Sequence, residues 1–252
     1  IVLGAHMEAP FLAEAKAGAQ LKQYFADPNE ENWQRYTCGL ESVVRLITMA
    51  PERAGAMEFI SALTKKGITV SIGHTTADAE TTHAAAEAGA THVTHTFNAQ
   101  TPLNHRAPGV PGAALVDDRL QCEVISDGIH LHPDIVKLII RMKGKEKLVA
   151  ITDAMEAAGM PDGQYQLGGQ EVFVHEGAAR LKDGTLAGST LTMVRAFQNL
   201  MRFGATPEEA ALMTTKTPAL SIGNEELGEI ELGAPAIFSR FDENYAFKGT
   251  VG

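Results

Sequence analysis

The sequence predicts an α/β fold in which strands and helices alternate to form a parallel barrel. The first observation is that residues 68–72 and 91–94 form two β-branched runs, each followed by a histidine, His74 and His95. An alanine-rich segment, residues 77–88, lies between the runs and has the composition of a helix. The second observation is length, because 252 residues suffice for one barrel of this kind.

Composition and charge argue against several classes of partner. The formal net charge of −10 argues against nucleic acid, whose phosphates require clustered lysine and arginine. No apolar run approaches the roughly 20 residues of a membrane span, and no signal peptide is recognisable. Cys38 and Cys122 match no metal or redox motif, so we expect a cytoplasmic protein. Because the chain opens inside a predicted strand, we expect it to be part of a longer protein.

The first quarter of the chain carries uneven signals. Residues 1–5 predict a buried strand that leads to Glu8, and residues 12–46 predict a long polar loop over the barrel mouth. Pro51 predicts the start of a helix. The core face of that helix is predicted from helical spacing to be Ala56, Phe59, Ile60 and Leu63.

The middle of the chain repeats the alternation of strand and helix. Thr75 or Thr76 is the predicted N-cap of the alanine-rich helix, and residues 98–112 are a predicted loop. Strands are predicted at residues 122–126 and 148–152. A helix beginning near Pro133 is predicted to place Ile135, Leu138, Ile139 and Met142 on its core face.

Two regions of β structure interrupt or follow the barrel. Asp-Gly and Gly-Gly pairs between residues 162 and 186 predict inserted hairpins. Helices are predicted at about 192–203 and from Thr206, where Glu209 completes the spacing of a capping box, and Pro218 is predicted to end the second helix. The predicted organisation is a barrel over residues 1–226, with the insertion at about 162–186, and part of a small β domain over 227–252.

Charged and imidazole side chains stand where successive predicted strands end. They are Glu8, His74, His95, Asp127, His130 and Asp153. Carboxyl ends of parallel strands meet at one edge, where barrel enzymes place their active sites. A single histidine at a strand end is usually structural. Two histidines with a carboxylate, however, have the composition of a catalytic metal site. By strand alternation, His92 is predicted to point away from His95, toward the outer helices.

Each remaining candidate has an ordinary interpretation beside a functional one. Asp153 is either the N-cap of a following helix or, beside a metal, a base that accepts a proton from water and returns it to a leaving group. Asp127 fits a simple Asp-Gly turn, while His130 is placed to donate to a substrate carbonyl. Arg106 is either a surface charge or an anchor for a phosphate or carboxylate.

Six short motifs occur in order along the chain. They are HMEAPF at 6–11, GHT at 73–75, THTFNA at 94–99, DGIH at 127–130, TDAM at 152–155 and LAGS at 186–189. Together they resemble the N-acetylglucosamine-6-phosphate deacetylase family of the amidohydrolase superfamily, over nearly the whole chain. The resemblance implies an incomplete TIM-like (β/α)₈ metal-dependent hydrolase barrel with a small β-sandwich.

The resemblance also implies a reaction and a site. The reaction is metal-dependent removal of acetate from N-acetylglucosamine 6-phosphate, with Glu8, His74 and His95 as metal ligands and Asp153 as the catalytic acid and base. The implied substrate contacts are Asn98, Ala99, Arg106, His130, Leu186, Ala187 and Gly188. One or two divalent ions are implied, zinc first, with iron, manganese or cobalt also compatible. Arg106 is implied to reach the phosphate of a neighbouring subunit, and hence a homodimer.

Three residues depart from the family pattern. Ala9 stands where the family usually has glycine, Gln20 replaces a substrate-contacting histidine, and Gln100 replaces a methionine. These departures bear on substrate preference more than on reaction type.

Two alternatives stay open. One is another amidohydrolase-type activity, on a related N-acyl sugar or a cyclic amide, or that of a deaminase. Arg106 favours a sugar phosphate over these. The other is a catalytically silent ligand-binding barrel, which the complete set of metal and acid/base residues disfavours. Fold alone does not decide between them.

Overall fold

A six-stranded parallel sheet forms the centre of the computed structural model, which describes residues 1–252. Its strands are β1 (Ala5–Met7), β2 (Val44–Met49), β3 (Thr69–Ile72), β4 (His92–Val93), β5 (Gln121–Ile125) and β6 (Leu148–Ile151). They pair in chain order, and every pairing is parallel. This arrangement confirms the predicted barrel architecture, here as about half of a closed barrel.

Helices follow the strands and cover one face of the sheet. They are α1 (Glu30–Thr37), α2 (Ala56–Lys65), α3 (Ala79–Ala88), α4 (Gly109–Val116), α5 (Pro133–Lys147), α6 (Met193–Arg202), α7 (Pro207–Thr214) and α8 (Lys216–Ser221). The main hydrophobic core lies between this helical layer and the sheet. None of the helices combines the length and apolar character needed to cross a membrane.

Two antiparallel sheets lie outside the barrel sheet. The first contains β7 (Gly163–Leu167), β8 (Gln170–His175) and β9 (Ala178–Leu181), and it has its own small core that includes Val172 and Ala187. The second pairs β10 (Phe238–Phe241) with β11 (Phe247–Val251). Both sheets fall in the regions where the sequence predicted hairpins and small β structure.

The predictions for residues 1–46 were wrong in two respects. The first strand is Ala5–Met7, and Val2 is 93% exposed rather than buried. The predicted polar loop contains α1 and the start of β2. Helix α1 escaped notice because it buries only Trp33 and Thr37 and otherwise presents polar residues, so it shows little helical periodicity.

The core face of α2 was predicted correctly, but its start was not. Ala56, Phe59, Ile60 and Leu63 are all buried. The helix begins at Ala56 after Gly55, while Pro51 lies in the preceding turn. Helix α3 is capped by Asp78, whose side chain accepts from Thr81 N at 2.8 Å, rather than by Thr75 or Thr76.

Helix α5 presents a different face to the core from the predicted one. Its buried residues are Val136, Ile139, Ile140 and Lys143, whereas Leu138 is 39% exposed and Met142 is 49% exposed. The stripe is shifted by one residue, and this orientation buries the Lys143 amine. It donates to the carbonyl oxygens of Ala114 at 2.9 Å and Asp117 at 2.8 Å, at the end of α4. Helix α4 was itself unpredicted.

Other helix ends also differ from prediction. The capping box of Thr206 and Glu209 forms as predicted. Pro218, however, lies inside α8 rather than ending α7, which stops at Thr214.

Adjacent residues of α5 give a matched test of its orientation. We expect Ile139→Ala to lower the free energy of unfolding by about 2–5 kcal/mol, because it leaves a cavity in the core. Leu138→Ala should cost about 1 kcal/mol or less, since half-exposed sites lose little packing. Urea unfolding of both variants measures the difference. Equal costs would contradict the orientation.

Candidate active site

Three side chains from separate strand ends converge at the mouth of the half-barrel. Glu8 follows β1, His74 follows β3 and His95 follows β4. Glu8 Oε1 lies 3.1 Å from the Nε2 atom of each histidine, and the two Nε2 atoms are 3.0 Å apart. The residues predicted as metal ligands are therefore brought together, and one potential ligand atom from each lies within 4.8 Å of the others.

The hydrogen bond on the far side of His74 shows what this cluster can bind. His74 Nδ1 lies 2.7 Å from the carbonyl oxygen of Lys16, which can only accept, so Nδ1 carries the proton. In the neutral ring, Nε2 then presents a lone pair toward an oxygen of the Glu8 carboxylate, which is also an acceptor. These facing atoms need a proton or a metal ion between them, and two imidazoles with a carboxylate fit a zinc-like divalent ion.

Electrostatics at the cluster favour positive charge. Burial by itself raises the pKa of Glu8, but hydrogen bonds and charge from His74 and His95 hold it well below its usual value. Burial likewise lowers the pKa of His95, but Glu8 outweighs burial and raises it to about 9. Both shifts favour positive charge between the carboxylate and the imidazoles, as expected of a cation site.

Left-handed backbone conformations mark the ends of these strands. His74, His95 and Asp153 have φ angles of 47°, 29° and 50°, and Ala99 has 49°. Residues other than glycine rarely adopt the left-handed region, and those that do cluster at functional sites. At each position the chain leaves its regular strand geometry, and the side chain lines the cavity at the mouth.

The same turns make strand alternation a poor guide, and the predicted orientation of His92 was wrong. His92 pairs with Ser71 and Gln121 across the sheet, on the face opposite Val93. Val93 packs into the core with the helices. His92 therefore points into the barrel interior. The prediction failed because the left-handed backbone at His95 breaks the alternation between the two histidines.

Neighbouring loops anchor the turn that carries His74. Its carbonyl oxygen accepts from Ala13 N at 2.9 Å. Glu52, which follows β2, accepts from Thr76 N at 2.6 Å, from Thr76 Oγ1 at 2.8 Å and from Thr75 Oγ1. Sequence reasoning missed Glu52, because nothing in its local pattern indicates a contact with the next βα loop.

Asp153 and His130 stand beside the cluster. Asp153 is partly buried, and burial together with the Glu8 charge raises its pKa above the usual value. His130 Nδ1 lies 2.7 Å from Asp127 Oδ2, while Asp127 Oδ1 accepts from Ile129 N and His130 N at 2.8 and 2.9 Å. Asp127 therefore holds the imidazole in place. The hydrogen bonds and charge of His130 outweigh burial and lower the pKa of Asp127.

A single cavity of about 480 Å³ contains most of the predicted site residues. Those lining it are Glu8, His74, His95, Asn98, Ala99, His130, Asp153, Leu186 and Gly188. Ala187 lies instead in the core of the small β7–β9 sheet. Arg106 is exposed on its loop and does not line the cavity.

Several cavity residues were not predicted. Lys16 and Gln170 line the wall, and Lys16 is the only lysine or arginine that does so. Gln20, noted above only as a departure from a pattern, also lines it and hydrogen-bonds to Glu8. Gln100 is buried behind the site, where it donates to Thr94 O at 2.8 Å and accepts from Phe97 N at 3.1 Å.

Glu123 is a further unpredicted group, on β5 inside the barrel. It is 2% exposed, and its Oε2 atom has no hydrogen-bond partner. Burial raises its pKa to about 8, opposed by the charge of His95. The sequence signal that could have identified Glu123 is a glutamate within an otherwise largely apolar predicted strand.

Comparison with known proteins places the chain among characterised sequences. Residues 1–249 match the model of the amidohydrolase family. The N-acetylglucosamine-6-phosphate deacetylase of Lysinibacillus sphaericus is 38% identical over 251 residues, which are 99% of this chain and 65% of that protein. The N-acetylgalactosamine-6-phosphate deacetylase of Escherichia coli O157:H7 is 39% identical over 93% of this chain and 63% of that protein. The chain thus spans less than two thirds of the length of these curated relatives.

A solved structure shows the same relationship. It is a mutant of the N-acetyl-D-glucosamine-6-phosphate deacetylase from Mycobacterium smegmatis in complex with N-acetyl-D-glucosamine-6-phosphate. It superposes with a TM-score of 0.93 at 36% identity, over 98% of this chain and 66% of that chain.

Metal binding at the cluster can be tested through stability. We expect zinc or cobalt to raise the melting temperature of the protein, because a ligand that binds only the folded state stabilises it. His74→Ala should abolish this rise. His175→Ala, at an exposed position on β8, is the matched control and should retain it. Full stabilisation of the His74 variant would place the metal elsewhere.

Proposed function

The chain belongs to the amidohydrolase family, as its motifs predicted, and we propose that it forms the active-site part of an enzyme that hydrolyses N-acetylglucosamine 6-phosphate to glucosamine 6-phosphate and acetate. The observation that carries the proposal is the placement of Glu8, His74, His95 and Asp153 around one cavity. A catalytically silent barrel would have no need of this set.

The metal is proposed to be held by Glu8, His74 and His95, whose facing acceptor atoms fit a cation. A divalent ion supplies Lewis-acid polarisation of the amide carbonyl and activates water. Zinc is the first candidate, and iron, manganese or cobalt suit the same ligands. We propose one or two ions per subunit.

Asp153 carries the proton through the proposed reaction. Its carboxylate accepts a proton from the water that attacks the carbonyl carbon, and it then gives that proton to the amide nitrogen as the C–N bond breaks. Acetate and the free amine of the sugar result. The raised pKa of Asp153 suits both halves of this role, since a carboxyl group near its ordinary value protonates a leaving amine poorly.

His130 and the cavity walls are proposed to bind the substrate. The Asp127 hydrogen bond orients the His130 imidazole, which donates to the carbonyl oxygen as negative charge develops there. Asn98, Ala99 and the loop of Leu186, Ala187 and Gly188 form the sugar subsite.

The phosphate is proposed to meet two cations. Lys16 lines the cavity of its own chain. Arg106 lies outside that cavity, which suits a residue that serves the neighbouring subunit of a homodimer. We also propose a cytoplasmic location, which the two free cysteines support.

Acetate release from three substrates tests the proposed reaction. The metal-loaded protein is supplied with N-acetylglucosamine 6-phosphate, its unphosphorylated form and N-acetylgalactosamine 6-phosphate, which differs only at C4. We expect rapid release from the first, and Arg106→Ala should raise KM for it far more than Arg141→Ala, at an exposed position on α5.

The other outcomes discriminate between the alternatives. Preference for the galactosamine ester would keep the chemistry and change the sugar. Equal release without phosphate would remove the role of Arg106. No release from any substrate, with metal bound, would favour another amidohydrolase reaction or a silent barrel.

Replacement of the proposed base tests the mechanism separately. Asp153→Asn should lower kcat by about 10²–10⁴-fold, because proton transfer is lost while the shape is kept. Metal content should stay unchanged. Asp183→Asn, at an exposed turn of the β7–β9 sheet, is the control and should leave kcat unaffected. Retained turnover in the Asp153 variant would show that another group is the base.

A further inference from the structure

The two oxygens of the Glu8 carboxylate have different partners. Oε1 faces the two histidine Nε2 atoms at 3.1 Å. Oε2 accepts from the side-chain amide of Gln20, with Nε2 at 2.5 Å. An oxygen that already accepts a hydrogen bond is less available to a metal ion. The Gln20 amide therefore makes Oε2 less available than Oε1.

We propose that Gln20 is a positioning residue for Glu8, which it holds so that Oε1 alone is directed to the metal. The inference rests on the metal site of the proposed function, but it does not depend on the identity of the substrate. Carboxylates bind metal ions through one oxygen or through both. The Gln20 amide favours the first mode by occupying Oε2.

The segment that carries Gln20 is itself fixed to the site. Gln20 N donates to Ala17 O at 3.0 Å, and the Lys16 carbonyl accepts from His74 Nδ1. Residues 16–20 therefore contact two of the three proposed ligands at once. Hydrogen-bonded partners outside the ligand set commonly orient the ligands and strengthen metal binding.

A second contact reaches this segment from the β7–β9 sheet. Gln170, at the start of β8, donates from Nε2 to the carbonyl oxygen of Ala19 at 2.6 Å. The position of Gln20 therefore depends on an insertion that supplies no metal ligand. Loss of the Gln170 amide should weaken metal binding in the same direction as loss of Gln20, and by less.

The test compares cobalt binding in matched variants of the full protein. Gln20→Met keeps the length of the side chain and removes the amide, so it should lower cobalt affinity about 10–100-fold, as measured by competition with a chelator. The visible absorption of bound cobalt should also change, because Glu8 becomes free to bind through both oxygens. Gln20→His retains an N–H donor and should restore most of the affinity.

Two controls make the result decisive. Gln23→Met lies three residues away at an exposed position and should leave affinity and spectrum unchanged. Gln170→Met keeps Gln20 and removes only the contact to Ala19, so it should lower cobalt affinity by less than Gln20→Met does. Unchanged cobalt affinity and spectrum in Gln20→Met would overturn the proposal, and so would an equal loss in Gln23→Met. A lack of acetate release with normal cobalt binding would reject only the proposed function.

Discussion

The site depends on two imidazole nitrogens and one carboxylate oxygen that are held facing one another. His74 Nε2, His95 Nε2 and Glu8 Oε1 lie about 3 Å apart, although none can satisfy another without a shared proton or cation. This arrangement is costly, since the two histidines are each 5% exposed and water solvates their lone pairs poorly. The surrounding residues keep these atoms in place. The Lys16 carbonyl lies behind His74, Gln20 lies beside Glu8, and Glu52, after β2, holds the turn that carries His74.

The parallel sheet makes this convergence possible because it brings residues far apart in sequence to one edge. Glu8 and His95 are separated by 87 positions, yet they follow strands β1 and β4 of the same sheet, and their side chains meet at one edge. The β7–β9 sheet adds the outer wall of the cavity through Leu167, Gly168 and Gln170. The barrel strands thus place the chemistry, while the inserted sheet shapes access and supports residues 16–20 from outside.

Local patterns were enough to predict the strand ends and the residues on them. A β-branched run followed by a polar residue is a short-range signal, so His74, His95 and Asp153 were found together with their strands. The missing features depend on contacts between segments. The face that α5 presents includes a buried lysine that caps another helix, and the proposed role of Gln20 depends on a loop that folds back onto β1. The orientation of His92 was missed because alternation assumes a regular backbone, which His95 interrupts.

The left-handed backbone at His74, His95 and Asp153 affects which substitutions would stabilise the fold. Histidine or aspartate in that region costs of order 1–3 kcal/mol relative to an unstrained backbone, a cost that glycine largely avoids. Selection for stability alone would therefore move positions 74, 95 and 153 toward glycine. A descendant released from its chemistry has an accessible route to a sturdier but inert barrel. The side chains found at these three positions thus carry a conformational cost that a purely structural role would not require.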